Sequence, residues 1–152
     1  MQKESARTYI IEQASWRDLL APSGLEKVCF NRDAWPLIEL MGVLTFPNIV
    51  RLRAVKDEEM IGFIAGDPRK RENTGWILTL GALPDWRRQG IAGALLSKCE
   101  AQLHMPQVKL SVRRSNIAAI RLYEKFGYKQ EDIWEKYYQG GEDGLVLIKE
   151  MT

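Results

Sequence analysis

Apolar and polar positions alternate along this chain in two periods, one of two residues and one of three to four, and the changes between them mark the elements. Residues 8–12 (Thr-Tyr-Ile-Ile-Glu) read as a short strand. Ser15 or Asp18 opens a helix carrying Trp16, Leu19 and Leu20, and Pro22, Ser23 and Gly24 interrupt it. Leu25, Val28, Cys29 and Phe30 suggest a further helical stretch, and another begins at Asp33 and Trp35 and reaches Met41. An apolar loop follows over 42–48, in which Leu44 and Phe46 read as satellite core. Residues 49–56 and 60–65 alternate as two strands of a hairpin turning at Asp57, Glu58 and Glu59, and the charged segment 66–74, with Pro68, reads as a solvated loop.

Strand 75–82 is apolar on both faces and must be covered on both sides. After a turn at Pro84 and Asp85, a helix from about 88 to 104 places Ala92, Leu95, Leu96, Cys99 and Leu103 three and four apart. Pro106 stops the chain, and strand 107–113 points Val108, Leu110 and Val112 to the core and Lys109, Ser111 and Arg113 to the other face. Ser115 or Asn116 caps a helix that runs to about Phe126 and ends at Gly127. Tyr123 lies on its apolar arc with Ala119, Ile120, Leu122 and Phe126, so its hydroxyl needs a partner inside the fold or at a cleft. Residues 128–138 read as a long strand, 139–144 as a glycine-rich turn and 145–149 as the last strand. The order β-α-α-β-β-β-α-β-α-β-β fits an α/β fold with one mixed sheet of about seven strands and helices on both faces.

A chain of 152 residues suits a single domain, 1–152, with a sizeable core. The net charge of +2 is too small to indicate a nucleic-acid partner. Cys29 and Cys99 fit no zinc spacing and His104 is the single histidine, so no metal is expected and the thiols are expected to be reduced. No apolar run is long enough to span a bilayer and no secretory leader pattern follows Met1, which makes the cytoplasm the expected location and a membrane partner unexpected.

The loop 84–92 carries the candidate chemistry. Amides of Arg88 through Ala92 open a helix, lack partners within it and sit at its positive dipole end, where Arg87 and Arg88 add further positive charge. That accumulation makes electrostatic sense around an anion with several oxygens, with Gly90 allowing close backbone approach and Ala92 keeping the wall low. No Gly-Lys-Ser/Thr and no Gly-x-Gly-x-x-Gly follows, so neither the phosphate loop of nucleotide hydrolases nor the dinucleotide fingerprint is present.

Over nearly its whole length the chain resembles the GNAT superfamily of N-acetyltransferases. Arg87-Arg88-Gln89-Gly90-Ile91-Ala92 is similar to that family's pyrophosphate loop, and Asn116-Ile117-Ala118-Ala119-Ile120-Arg121-Leu122-Tyr123-Glu124-Lys125-Phe126-Gly127-Tyr128 to its second signature. Within it, Tyr137-Tyr138 followed by Gly141-Glu142-Asp143-Gly144-Leu145, together with Trp35, resembles the bacterial enzymes that acetylate the N-terminal alanine of a small-subunit ribosomal protein.

The resemblance implies a mostly antiparallel sheet and transfer of an acetyl group from acetyl-coenzyme A to a primary amine. It implies that strands 75–82 and 107–113 splay and that the pantetheine arm lies along Leu80, Ala82 and Leu83. The diphosphate would rest on Arg87, Arg88, Gln89, Gly90, Ile91 and Ala92, with Asn116 and Tyr123 nearby. An N–H near Ala82 would stabilise the thioester oxygen, and Tyr123 would give a proton to the departing thiolate. The acceptor groove would draw on Phe30 to Phe46 and the 134–144 region.

The family's base, a glutamate ahead of a Val-Arg pair, is replaced here by Ser111 ahead of Val112 and Arg113. Glu142 or Asp143 acting through water, with Tyr138 orienting the amine, are the candidate substitutes, or the amine arrives neutral. The acceptor is then the N-terminal α-amine of a protein or peptide, a small-molecule amine in a second reading, or none in a coenzyme A-binding regulatory module. The residues are compatible with a homodimer as well as a monomer.

Overall fold

The computed structural model describes residues 9–15, 47–83 and 90–151. Among these, seven strands form one sheet: β1 (Ile10–Gln13), β2 (Val50–Lys56), β3 (Glu59–Arg69), β4 (Thr74–Ala82), β5 (Gln107–Arg113), β6 (Lys129–Trp134) and β7 (Gly144–Glu150). Their order across the sheet is β1-β2-β3-β4-β5-β7-β6, and every neighbouring pair is antiparallel except β4 and β5. Two described helices follow β4 and β5, α1 (Ile91–Leu103) and α2 (Ile117–Lys125). The two helical stretches expected between residues 15 and 41 lie outside the described residues, as do Cys29 and Trp35.

Helix α1 is seated directly on the sheet. A Cβ at Gly62 would come within 3.0 Å of Ile91, one at Gly66 within 2.8 Å of the Cys99 sulfur and one at Gly75 within 3.0 Å of Leu103. Bare backbone in β3 and β4 therefore lets the helix descend until Ile91, Leu95, Leu96, Cys99 and Leu103 are buried. Each large aliphatic side chain so covered contributes about 1.5–3 kcal/mol. The Cys99 thiol is free, and burial followed by the neighbouring Glu100 pushes its pKa up to about 12, so it stays protonated and inert.

Helix α2 lies against α1 on the same side of the sheet, at another close approach: a Cβ on Gly93 would meet the Phe126 ring at 2.4 Å. Asn116 caps α2 by accepting the Ala119 N–H at 3.2 Å.

Two segments depart from the periodicity. The expected loop 66–74 is strand as far as Arg69, because a bulge between Ala65 and Gly66 resets the register and pairs Pro68 with Gly75. The described part of β2 leaves β3 at Gly66, so Pro68 sits where a missing N–H is tolerated. The expected strand 128–138 ends at Trp134, since Lys136 takes a left-handed φ of 53° and its N–H turns to the Asp143 carboxylate at 3.0 Å.

Candidate active site

The parallel ladder between β4 and β5 covers only Thr74–Trp76 against Gln107–Lys109, although both strands continue. Beyond Trp76 they diverge and leave a gap in the middle of the sheet. The direction of the backbone groups on each bank follows from the antiparallel registers. Leu83 donates its N–H to Ile61 at 2.9 Å, and residues in an antiparallel pair alternate between facing their partner strand and facing away. With Gly62 opposite Ala82 and Ile64 opposite Leu80, the backbone groups of Leu80 and Ala82 therefore turn from β3 toward the gap.

The same reasoning from Arg114, whose N–H donates to the Asp143 carbonyl at 3.2 Å, turns the backbone of Ser111 toward the gap from β5, while the Arg113 carbonyl accepts the Asn116 N–H at 3.0 Å. Leu83, by contrast, is buried and its N–H is spent on Ile61.

At one end of the gap α1 begins. Gly90 is its N-cap with φ of 80°, a left-handed conformation that glycine adopts freely, and the space a Cβ would enter is open. Gly90 has no side chain with which to cap this helix, and among the described residues the first-turn amides of Ile91, Ala92 and Gly93 are presented outward. Arg87, Arg88 and Gln89 lie outside the described residues. Backbone groups turned along a strand edge and a helix N-terminus that opens on glycine fit a long ligand that carries amides at one end and a diphosphate at the other.

On the side of the sheet that α1 and α2 cover, Tyr123 is buried, 9% exposed. Burial first, and the nearby Tyr138 phenol second, hold its pKa well above that of a free tyrosine, so its hydroxyl remains protonated at neutral pH. On the other side, Ser111 and Tyr138 share a hydrogen bond of 2.9 Å between their hydroxyls.

Arg113, also buried, lies over the Tyr138 ring with its guanidinium carbon 4.8 Å from the centroid and donates to the Gln139 carbonyl at 3.2 Å. It also forms an ion pair of 3.0 Å with Glu142, whose second oxygen accepts the Ser115 N–H at 2.6 Å. Asp143 is engaged as well, by Arg114 at 3.2 Å and by the Lys136 N–H. Of the sequence-based candidates, Ser111, Tyr138 and Glu142 are thus joined through Arg113, and Asn116 is the cap of α2.

The Ser115 and Arg113 hydrogen bonds hold the Glu142 carboxyl below the usual carboxylate range. A carboxylate that prefers to stay ionised stabilises the fold above its unfolded pKa, and that contribution fades as pH falls through the lower folded value. Urea unfolding of Glu142→Gln is accordingly expected to show a deficit against the parent at pH 7 that narrows below about pH 4.5. A deficit independent of pH would contradict it.

Two features were not read from the sequence. Trp76, Trp134, Tyr137 and Tyr138 form an aromatic row with successive centroids 5.9, 4.8 and 5.0 Å apart, which the misread end of β6 concealed. Glu100 of α1 is 5% exposed, accepting the Tyr128 hydroxyl at 2.6 Å and pairing with Lys149 at 3.0 Å. Its position four residues after Leu96 and three before Leu103 put it on the apolar arc, a signal available from spacing alone. A shallow depression of about 470 Å³ lined by Ile10, Arg53 and Val55 among others lies at the β1–β2 edge, and none of the residues that face the gap borders it.

A sheet opened between two parallel strands, with a helix N-terminus that opens on Gly90 at its mouth, is the architecture of an acyl-coenzyme A-dependent transferase. The chain belongs to the acetyltransferase (GNAT) family, whose model matches residues 13–128. It is 30% identical to the catalytic subunit NAA10 of the N-terminal acetyltransferase A complex of Arabidopsis thaliana, over 93% of this chain and 77% of that protein. It is likewise 30% identical to an N-acetyltransferase of Methanocaldococcus jannaschii, over 92% of this chain and 90% of that one.

The fold matches the ribosomal-protein-S18-alanine N-acetyltransferase of Escherichia coli with a TM-score of 0.82 at 22% identity, over 95% of this chain and 94% of the other. The protein is an acetyl-coenzyme A-dependent N-acetyltransferase that acts on amines. Among the described residues no helix is long and apolar enough to cross a membrane.

Proposed function

We propose that the acceptor is the N-terminal α-amine of a protein or peptide and that it is used as the free base. The observation that carries this reading is the hydroxyl pair of Ser111 and Tyr138 on the β5 bank, where the family's glutamate would stand, with Glu142 already held by Arg113 and Ser115. Two hydroxyls orient an amine or a water but take no proton at neutral pH. An α-amine of pKa about 7.8 is roughly one quarter neutral at pH 7.4, whereas a lysine of about 10.4 is neutral in roughly one molecule per thousand. That difference alone favours the α-amine by about two orders of magnitude, and the similarity to an N-terminal acetyltransferase catalytic subunit supports the same choice.

When bound, acetyl-coenzyme A supplies the thioester whose acetyl group passes to the nitrogen. Leu80 and Ala82 would align its amide arm, the α1 amides and Arg87, Arg88 and Gln89 would hold its diphosphate, and a backbone N–H near Ala82 would face the carbonyl oxygen. Tyr123 keeps its proton at neutral pH and so suits a donor to the thiolate rather than a base. Glu142 serves chiefly to hold Arg113 under the Tyr138 ring.

A panel of peptides with free α-amines, peptides with blocked α-amines and a free lysine, and free amino acids tests the acceptor. Transfer to free peptide α-amines is expected, with kcat/KM rising up to about pH 8 and then levelling. Preference for lysine side chains would refute the α-amine. A preference for free amino acids would move the acceptor to small molecules, a reading favoured by 29% identity over 60% of this chain to an L-amino acid N-acetyltransferase of Escherichia coli.

A further inference from the structure

Glu100, Tyr128 and Lys149 form a polar cluster, the first two buried and the lysine half-buried, that none of the roles above uses. It joins three elements. Glu100 lies on α1, Tyr128 directly follows α2 and its terminal turn, and Lys149 belongs to β7. The Tyr128 hydroxyl donates to one Glu100 oxygen at 2.6 Å and the Lys149 ammonium to the other at 3.0 Å, so both carboxylate oxygens are engaged. Lys149 also passes within 3.6 Å of the place a Cβ on Gly127 would occupy, and its ammonium lies 5.8 Å from the Tyr128 ring centroid.

What Tyr128 touches next is Tyr123. Its N–H donates to the Tyr123 carbonyl at 3.0 Å, and the two rings meet edge to face with centroids 5.8 Å apart. Glu100 is nine residues along α1 from Ile91, about 13.5 Å of helix. The helix whose first turn faces the diphosphate is thereby linked by one carboxylate to the ring beside Tyr123. A buried carboxylate with both oxygens engaged permits little drift, since a lost partner leaves its charge desolvated.

We infer that Glu100 and Tyr128 are positioning residues for the reaction, fixing the Tyr123 hydroxyl at a set distance from the α1 N-terminus. The inference rests on Tyr123 as the proton donor proposed above. Glu100 and Tyr128 act through Tyr123 and touch no substrate, so their loss moves the chemical step and leaves cofactor affinity in place.

The principal variant is Tyr128→Phe, which removes one oxygen and keeps the ring. Its kcat is expected to fall about tenfold, while the KM for acetyl-coenzyme A and the calorimetric Kd for coenzyme A stay within about twofold. In a Tyr123→Phe background the same substitution should leave kcat within about twofold, because no phenol remains to be aimed. Glu100→Gln, which retains an acceptor for the Tyr128 hydroxyl, should fall by no more than about threefold.

A readout independent of turnover is the ¹³Cζ-tyrosine resonance of Tyr123, assigned by its absence from Tyr123→Phe. With coenzyme A bound it should be single and sharp in the parent and broadened or split in Tyr128→Phe. Equal slowing by Tyr128→Phe in both backgrounds would mark general loosening and overturn the inference, as would an unchanged rate or an unchanged resonance. If Tyr123→Phe alone leaves kcat intact, the donor assignment falls and this inference with it, an outcome distinct from a slow Tyr123→Phe beside a normal Tyr128→Phe.

Discussion

Tyr123→Phe is expected to lower kcat by about 10²- to 10³-fold while the Kd for coenzyme A changes by less than about twofold. The phenol is buried, and burial and the neighbouring Tyr138 both oppose loss of the proton. A group so held is unfit as a base and fit as a donor, provided the departing sulfur develops its charge in the same poorly solvated space, where the thiol pKa rises too. Removing the oxygen takes away an interaction made in the transition state and leaves the ring packing against Tyr128. The check is steady-state kinetics with coenzyme A calorimetry on the same preparation. A variant that turns over at the parental rate would remove Tyr123 from the chemistry.

The second large effect is on the fold. Gly93→Val is expected to destabilise the protein by about 2–3 kcal/mol, a fall in Tm of roughly 5–10 °C for a domain of this size. Glycine inside a helix normally costs about 1 kcal/mol relative to alanine, so its presence in α1 needs a cause. That cause is the Phe126 ring, which occupies the space a first side-chain carbon would take, at 2.4 Å. The two helices are packed backbone to ring, and branching at this position forces them apart or tilts Phe126 out. Calorimetric melting of Gly93→Val, with and without Phe126→Leu, separates these causes. If shortening the ring restores most of the lost Tm, the collision is responsible, and a Gly93→Val protein as stable as its parent would refute the close packing.

How far such features can be read from residue order depends on whether the cause is local. Strand β5 was legible to the residue, because Val108, Leu110 and Val112 alternate without interruption with Lys109, Ser111 and Arg113. The end of β6 was not, since Trp134, Tyr137 and Tyr138 are apolar enough to prolong a strand, and the left-handed Lys136 that ends it is tied to Asp143, seven residues on. Glu100 has the spacing of a core position but the residue type of a solvent-facing one. The partners that make its burial tolerable come from Tyr128 and Lys149, 28 and 49 residues away.

The gap itself is a failure of two strands to pair, which neither strand's composition encodes. The family resemblance supplied the expectation, and the alternation of registers supplied the direction of its backbone groups. Of the loop proposed to bind an anion, Gly90 takes a left-handed φ at the start of α1, a conformation that suits glycine, while Arg87, Arg88 and Gln89 fall outside the described residues.

The ladder between β4 and β5 runs over three residue pairs, Thr74 with Gln107, Gly75 with Val108 and Trp76 with Lys109. One plate of four strands and another of three therefore meet along a seam far shorter than either. A donor arm laid along Leu80 and Ala82, as proposed above, would add a rung across this seam, so catalysis and mechanical unity would be bound up together: a departing coenzyme A would remove a cross-brace, and an arriving one would close the frame again.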